Sequence, residues 1–189
     1  MPEIDYAKDL PEDVELVAVP VTAEEGDAEG LAAKGLPAAV LAAQGFEGKA
    51  DQLAWLPGGE DGPVTAVVGL GPAAAVDAAR LRRAAAQVVR RARRVGSVAL
   101  PLLDALPPET TATARAAAAR AAAEGAALGA YRYTELRTDP GPSGPDRVVL
   151  VGRGGQRGDL QQHSDGVGPG RGQPLGQHLH SRHGGPPAW

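Results

Sequence analysis

The chain has 189 residues, a formal net charge of −4 and no cysteine. The length is enough for one domain with a buried core, which must be built from Ala, Val and Leu because only 3% of the residues are aromatic. The lack of cysteine excludes disulfides, thiolate metal sites and a cysteine nucleophile, and the acidic balance argues against a dedicated nucleic-acid binder.

Residues 1–13 are predicted to form a lead segment before the folded domain. Their sequence is acidic and has no apolar run behind Met1, so it does not resemble a secretory signal. No stretch of the chain approaches the roughly 20 apolar residues that a membrane-spanning helix requires. The expected compartment is therefore the cytoplasm.

The first half of the domain is predicted to combine short strands with a short helix. Val14–Val21 is short and β-branched, which is typical of a strand. Thr22–Gly30 is acidic and interrupted by glycine, which predicts a loop. Leu36–Ala43 predicts a short helix with a proline in its first turn, and Leu53–Leu56 predicts another strand.

The second half of the domain has the clearer pattern of apolar residues. Val64–Leu70 is a nearly continuous apolar run, as in a strand buried on both faces. In Val76–Val95, apolar residues recur every three or four positions, which predicts a helix with one apolar face that ends at Gly96. The remaining predicted elements are a buried strand at Ser97–Leu103, an Ala-rich helix at Thr110–Ala130 and a final strand at Arg147–Gly152.

Two glycines, Gly125 and Gly129, lie inside the predicted Ala-rich helix. Glycine has a low helix propensity, so these residues either weaken the last turns or let another element approach closely. The sequence leaves both alternatives open.

The order of the elements predicts the fold class. Strands alternate with helices between residues 14 and 152, which is the pattern of an α/β domain with a mostly parallel sheet flanked by helices. After Arg153 the composition changes abruptly: alanine is absent from 154–187, lysine and glutamate vanish, and Gly, Gln, Pro and His dominate. Residues 153–189 are predicted to be a disordered tail, because they contain too little apolar surface to offset their ordering entropy.

A shifted reading frame offers an explanation for this tail. A one-base shift permits Met-Ala-Trp-Ala-Arg from Asp165 and Val-Asn-Thr-Ser-Thr-Pro-Asp-Met-Ala-Ala from Gly176, which restores the alanine-rich character of the upstream chain. The hypothesis is that 153–189 is a frameshift product. The coding DNA tests it, since a restored frame that runs into stop codons would rule it out.

A glycine motif, Gly69-Leu70-Gly71-Pro72-Ala73-Ala74, lies between a predicted strand and a predicted helix. It matches a loose form of the dinucleotide-binding fingerprint, in which backbone amides face a pyrophosphate. An acidic residue about 20 positions further on should bind the ribose, but Arg90–Arg94 provides only bases there, and Pro72 removes one amide. The sequence therefore favours a glycine turn over a nucleotide site.

The predicted helix 76–95 is rich in arginine. A DNA-binding interpretation would have these guanidinium groups neutralise phosphates, but no aromatic residues alternate with them to stack on bases. A solvated polar face opposite the apolar stripe is the simpler explanation, and part of it could pair with acidic residues of a neighbouring subunit. The arginines concerned are Arg80, Arg82, Arg83, Arg90, Arg91, Arg93 and Arg94.

No residue is assigned a catalytic, cofactor-binding or metal-binding role. Clustered histidines can bind Zn or Ni, but a disordered tail provides no scaffold for them, and the shifted frame accounts for their presence. Glu12-Asp13 and Glu24-Glu25 fall in predicted loops and are interpreted as surface charge. The histidines are His163, His178, His180 and His183.

Four short segments stand out by their order and spacing: Phe46-Glu47-Gly48-Lys49, Val67-Val68-Gly69-Leu70-Gly71, Leu81-Arg82-Arg83-Ala84-Ala85-Ala86 and Ala122-Ala123-Glu124-Gly125-Ala126-Ala127-Leu128-Gly129-Ala130-Tyr131-Arg132-Tyr133. Together they resemble the N-terminal domain of the leucine (cytosol) aminopeptidase family, and the resemblance covers about residues 14–152. The shifted frame adds an Ala-Arg followed by Val-Asn-Thr and Pro, which resembles the opening of the family's catalytic domain.

The resemblance implies a macro-domain-like fold, with a mixed, mostly parallel sheet flanked by helices. It also implies that the whole enzymes of the family are homo-hexameric metallo-exopeptidases, which use two divalent metals, Zn or Mn, to remove N-terminal residues from peptides. Their metal ligands and catalytic Lys and Arg lie in a C-terminal domain, whose Asn-Thr-Asp-Ala-Glu-Gly-Arg signature is absent here. This chain is therefore expected to be inactive and to hold no cofactor, with the missing catalytic domain and neighbouring subunits as its partners.

Two alternative functions stay open at this point. Macro-like folds elsewhere hold ADP-ribose near glycine loops such as Gly69–Gly71, which would make the chain a small-ligand or nucleotide-binding module. The Arg-rich helix 76–95 would be the contact surface if the domain touches DNA, as the N-terminal domain is thought to do in some members of the family.

Overall fold

The computed structural model describes residues 1–59, 62–131 and 144–152. The first half contains β1 (Glu3–Ala7), β2 (Leu16–Thr22), α1 (Ala28–Ala33), α2 (Ala38–Ala43) and β3 (Leu53–Leu56). The second half contains β4 (Val64–Gly71), α3 (Ala78–Arg91), β5 (Ser97–Leu100), α4 (Ala112–Ala130) and β6 (Arg147–Val151). Short 3-10 helices follow β2, β4 and β5, at Ala23–Glu25, Ala73–Ala75 and Leu102–Ala105. The predicted tail, 153–189, lies outside the described residues.

The strands form one six-stranded sheet in the order β1-β6-β5-β2-β4-β3. All neighbouring pairs are parallel except β3 and β4, which run antiparallel. The predicted α/β class with a mostly parallel sheet flanked by helices is therefore confirmed. No helix in the described parts of the chain is long and apolar enough to cross a bilayer.

The main core lies between one face of the sheet and the helices α3 and α4. The apolar stripe predicted for α3 is buried there, and Leu81, Ala85 and Val88 have no exposed surface. A buried leucine or valine contributes about 1.5–3 kcal/mol, whereas alanine contributes less. Aromatic residues are not among the fully buried side chains of this core, so its stability comes from many small contacts.

The opposite face of the sheet is covered in two patches. Leu31 of α1 and Leu41 of α2 pack with Phe46 over β2, β3 and β4. Val14, just before β2, packs with Val17 and with residues of β5 and β6. Val14 thus holds the segment that follows β1 against this second face.

The glycines of α4 allow a close helix pair. A Cβ atom at Gly125 would overlap the backbone carbonyl of Arg82 in α3, and one at Gly129 would overlap that of Ala86. Of the two alternatives left open by the sequence, the close approach of another element is the one observed. α4 continues to Ala130 without interruption, so the glycines do not end it.

Capping side chains fix where the two long helices begin. The Asp77 carboxylate accepts a hydrogen bond from the Arg80 amide at 2.8 Å, and the Thr111 hydroxyl accepts one from the Ala114 amide at 3.2 Å. Such N-caps satisfy amides that have no partner within the helix. Both helices therefore start two residues later than predicted.

Three sequence predictions about element ends were wrong. α3 ends at Arg91 because Ala92 leaves the helical region, with ψ 57°, whereas Gly96 leads into β5. The predicted strand Ser97–Leu103 ends at Leu100, because Pro101 lacks the amide that would continue the ladder. The predicted loop Thr22–Gly30 contains the start of α1, where the Asp27 carboxylate accepts from the Gly30 amide at 2.7 Å.

The predicted lead segment also contains a strand. β1 pairs with β6 in parallel, with Glu3 opposite Arg147 and Ala7 opposite Val151, and the Tyr6 hydroxyl donates to the Gly152 carbonyl. Arg147 also pairs with Asp5 at 3.5 Å. The sequence pattern missed β1 because an edge strand with several polar residues lacks the apolar run of a buried strand.

We predict that Gly125→Ala lowers the free energy of unfolding by about 1–3 kcal/mol, because the new methyl group overpacks the contact between α3 and α4. Urea denaturation measures this change. Helix propensity alone would raise stability by up to about 1 kcal/mol, so the sign of the effect separates the two causes. Leu128→Ala, at an exposed position of the same helix, serves as the control and should change stability by no more than about 0.5 kcal/mol.

Candidate functional site

The carboxyl ends of β2, β4 and β5 meet at one edge of the sheet, where ligands of open α/β folds usually bind. Four loops surround this edge: residues 22–27, 46–52, 71–77 and 101–109. The loop 46–52 reaches it because β3 is antiparallel, with Leu53 paired to Val68 near the end of β4. The motifs Phe46–Lys49 and Gly69–Gly71 are therefore neighbours in space.

These two motifs interlock through their backbones. The Gly71 amide donates to the Gly48 carbonyl at 2.9 Å, and the Gly69 amide donates to the Gln52 carbonyl at 2.9 Å. A Cβ atom at Gly69 would overlap the carbonyl oxygen of Lys49. The first two glycines of the supposed dinucleotide fingerprint thus make room for another part of the same chain.

The end of β2 closes on the same loop. Gly48 has φ +70°, a left-handed conformation that favours glycine. A Cβ atom at Gly48 would overlap the Thr22 carbonyl oxygen, and one at Gly26 would overlap the Glu47 carbonyl oxygen. We call these four close-contact positions, Gly26, Gly48, Gly69 and Gly71, the glycine clasp.

The side chain of Gln52 stabilises the conformation of the loop 46–52. Its side-chain oxygen accepts hydrogen bonds from the amides of Glu47 at 2.9 Å and Lys49 at 3.0 Å. Its side-chain nitrogen donates to the Gly45 carbonyl at 3.0 Å. Sequence reasoning did not find Gln52, because a glutamine in a polar loop carries no distinguishing signal.

The backbone groups that a pyrophosphate would need are already engaged. The Gly71 amide is bound to Gly48, Pro72 has no amide, and the Ala73 amide donates to the Glu24 carboxylate at 3.0 Å. A fixed negative charge therefore occupies the place where a phosphate would bind. This geometry argues against the nucleotide interpretation. Gly69 and Gly71 belong to the end of β4, and the turn after them is formed by Pro72 and the 3-10 helix Ala73–Ala75.

An open cavity of about 420 Å³ lies at this edge. Alanines and prolines form much of its wall, and its polar lining consists of Thr22, Glu25, Lys34, Asp104 and Glu109. The Lys34 ammonium is paired with the Glu25 carboxylate at 3.1 Å. The lining is therefore acidic overall, which disfavours a phosphate-bearing ligand.

Glu24 and Glu25 are both held in the ionised form. Glu24 accepts hydrogen bonds from its own amide and from the Ala73 amide, which lower its pKa. For Glu25, burial raises the pKa, but the Thr22 amide at 2.9 Å and the Lys34 ammonium outweigh burial, and the net shift is downward. These carboxylates act as structural acceptors at the start of the 3-10 helix, in keeping with a surface role.

The structure divides the predicted arginine face into two groups. Arg80 donates to the Leu70 carbonyl at 2.7 Å, Arg82 lies 3.9 Å from the Glu124 carboxylate, and Arg83 lies 4.0 Å from that of Asp51. The first group thus contacts β4, α4 and the loop 46–52. The second group is exposed at the other end of α3 and contains Arg90, Arg91, Arg93 and Arg94.

The other candidate groups do not form a reactive constellation. Asp13 pairs with Arg147 at 2.8 Å, and the four histidines lie outside the described residues. Within the residues that are described, no group of three His, Asp or Glu side chains could hold a metal ion. The lack of catalytic, cofactor-binding and metal-binding residues stays a prediction for the chain as a whole.

We predict that Glu25→Gln flattens the acid side of the stability curve. Because the folded pKa of Glu25 is lowered, its contribution is present above its ordinary value of 4.5 and is lost as the pH falls through the folded value. The side chain is 40% exposed, so the loss at neutral pH should be below about 1 kcal/mol. Urea denaturation at pH 7 and pH 3 measures this, with Glu29→Gln as the exposed control. An unchanged difference between the two pH values in Glu25→Gln would contradict the account.

The sequence matches known proteins over most of this region. Residues 18–140 match the model of the cytosol aminopeptidase family, N-terminal domain. A probable cytosol aminopeptidase of Leifsonia xyli subsp. xyli is 44% identical over 131 residues, which are 68% of this chain and 23% of that protein. One from Rhodococcus opacus is 38% identical over 110 residues, 56% of this chain and 19% of that protein. The chain thus spans about a fifth of the length of these relatives.

Solved structures agree with this match. A tomato leucine aminopeptidase mutant superposes with a TM-score of 0.70 at 19% identity, over 85% of this chain and 35% of that one. The bottromycin maturation enzyme BotP gives a TM-score of 0.59 at 28% identity, over 82% of this chain and 30% of that one. The first likeness concerns the fold alone. From the family match and the relatives together, the chain belongs to the cytosol aminopeptidase family, whose N-terminal domain it contains.

Proposed function

We propose that this chain is a non-catalytic module of a leucyl aminopeptidase, a metallo-exopeptidase that removes N-terminal amino acids, and that its role is at most in assembly. The proposal rests on the structural role of two of the family-like segments. Phe46–Lys49 and Gly69–Gly71 meet in the glycine clasp, where their backbone groups bond to one another. The residues that carry the likeness thus hold loops together.

The proposal places the chemistry in another domain. The relatives named as aminopeptidases are four to five times longer than the segment that this chain matches, since the match covers 23% and 19% of them. Such an enzyme would use two divalent metals, Zn or Mn, in its catalytic domain. The residues described in this chain do not fit a metal pair, because no cluster of three ligands occurs among them.

Three further features belong to the same proposal. The partners would be the catalytic domain and neighbouring subunits of a homo-hexamer, and the compartment would be the cytoplasm, in keeping with the names of the relatives. The fold would be macro-domain-like. The mostly parallel sheet with helices on its faces supports this last point.

We predict that the purified chain does not hydrolyse leucine p-nitroanilide in the presence of Mn²⁺ or Zn²⁺. The release of p-nitroaniline is followed by absorbance, with a blank that contains the metal without protein. The Leifsonia xyli relative, assayed under the same conditions, is the positive control. Turnover by the chain above the metal blank would overturn the non-catalytic assignment.

A further inference from the structure

A second groove lies at the amino edge of the sheet, away from the glycine clasp. It has a volume of about 330 Å³ and is lined by Leu16, Trp55, Val64 and the segment Arg91–Val95. Leu16 and Val64 are the first residues of β2 and β4, whereas Trp55 comes from β3. We call it the arginine groove.

The arginines of this groove form no ion pair in the part of the chain that the structure describes, and the neighbouring Glu15 carboxylate accepts a hydrogen bond from the Gly96 amide at 3.1 Å. Arg91, Arg93 and Arg94 line it, and Arg90 is exposed beside it. Among the described residues, no carboxylate lies within ion-pair distance of these four side chains, while the arginines further up α3 have such partners. Four positive charges therefore stand together on a chain whose net charge is −4.

The dipole of α3 explains only part of this cluster of four arginines. Basic residues in the last turn of a helix interact favourably with its dipole, which accounts for Arg90 and Arg91. Arg93 and Arg94 lie beyond the end of α3, so the dipole does not require them. The Arg93 side chain donates to the Arg90 carbonyl at 3.3 Å, which helps to hold the segment along the groove.

The chemistry of the groove fits an apolar side chain flanked by carboxylates. Leu16, Val64 and Val95 provide an apolar floor, and guanidinium groups, which bind carboxylates strongly, provide the rim. Arginine and tryptophan are enriched among the interface residues that contribute most to the binding energy. Nucleic acid is less favoured, since stacking of successive bases needs several aromatic residues and Trp55 is the one that lines this groove.

The same chain presents a segment with the matching chemistry. In Asp9-Leu10-Pro11-Glu12, between β1 and β2, the leucine is 49% exposed and both acidic residues are exposed. Neither acidic residue has an ion pair within the described ranges. Pro11 restricts the backbone, which reduces the entropy that the segment loses when it binds. We call this segment the acidic loop.

The acidic loop and the arginine groove belong to different faces of the domain. The loop leads into Val14, which packs with Val17 on one face of the sheet. Leu16 of the groove packs on the other face, with α3 and α4. A single copy therefore presents two different, complementary surfaces.

We propose that the acidic loop of one copy docks into the arginine groove of a second copy, with Leu10 on the apolar floor and Asp9 and Glu12 against the arginines. Because the two surfaces differ, the contact is heterologous, and each copy can bind one neighbour at each surface. The contact is small, so it belongs to the weak class that buries less than about 1,200 Å². The proposal does not depend on the aminopeptidase assignment.

Sedimentation velocity of the full chain over a range of concentrations tests the proposal. The average mass should rise with concentration past that of a dimer and should fall to the monomer in 1 M salt, where the screening length is about 3 Å. Arg91→Ala with Arg94→Ala should remain monomeric, as should Asp9→Ala with Glu12→Ala. Arg82→Ala with Arg83→Ala, within α3 and with the same loss of charge, should associate like the wild type.

Mixing the two monomeric variants gives the sharpest result. One variant keeps an intact loop and the other an intact groove, so the equimolar mixture should stop at a one-to-one dimer. A wild-type chain that stays monomeric, or a groove variant that associates as well as the control, would overturn the proposal. The proposal would also be overturned if the chain stays monomeric and binds a single-stranded oligonucleotide that the variant with Arg91→Ala and Arg94→Ala does not bind, because that result assigns the groove to nucleic acid.

Discussion

The carboxyl edge of the sheet depends on backbone contact without intervening side chains. At Gly48 and Gly69 the loop before β3 lies against the ends of β2 and β4 so closely that a methyl group would overlap a carbonyl oxygen, and a methyl group at Gly71 would overlap the Arg80 side chain of α3. This approach lets the Gly71 amide bond to Gly48 and the Gly69 amide to Gln52. The glycine clasp therefore fixes the antiparallel edge strand and the loops around the cavity.

The same physical device recurs between the helices. Gly125 and Gly129 bring α4 against the backbone of α3, which compensates for a core of Ala, Val and Leu with few large side chains. In both places glycine allows two backbone segments to pack closely. Charge is also divided between the two edges of the sheet. The cavity at the carboxyl edge is acidic, whereas arginines that form no ion pair within the described ranges line the groove at the amino edge.

Apolar runs predicted the buried strands, and apolar residues at three- and four-residue spacing predicted α3. The Ala-rich composition, through its helix propensity, predicted α4. The sequence analysis missed β1, whose polar edge position has no apolar run. It extended α3 to Val95, because a glycine such as Gly96 usually follows the end of a helix. The sequence favoured a glycine turn at Gly69–Gly71, but these residues form the end of β4, and the turn follows at Pro72 and Ala73–Ala75. The loop that the two glycines contact could not be found from the sequence. That contact joins residues about 20 positions apart, and Gln52, Glu24 and Trp55 acquire their roles only through the fold.

The central claim is that the family-like glycines are structural. Its most direct test is the free energy of unfolding of Gly69→Ala, measured in urea. Gly69 lies within β4 and is not among the positive-φ glycines, so the substitution adds steric overlap without backbone strain. We predict a loss of about 1–3 kcal/mol, with Gly59→Ala, where no atom lies within 4 Å of the new carbon, as the control. Wild-type stability in Gly69→Ala would contradict the claim.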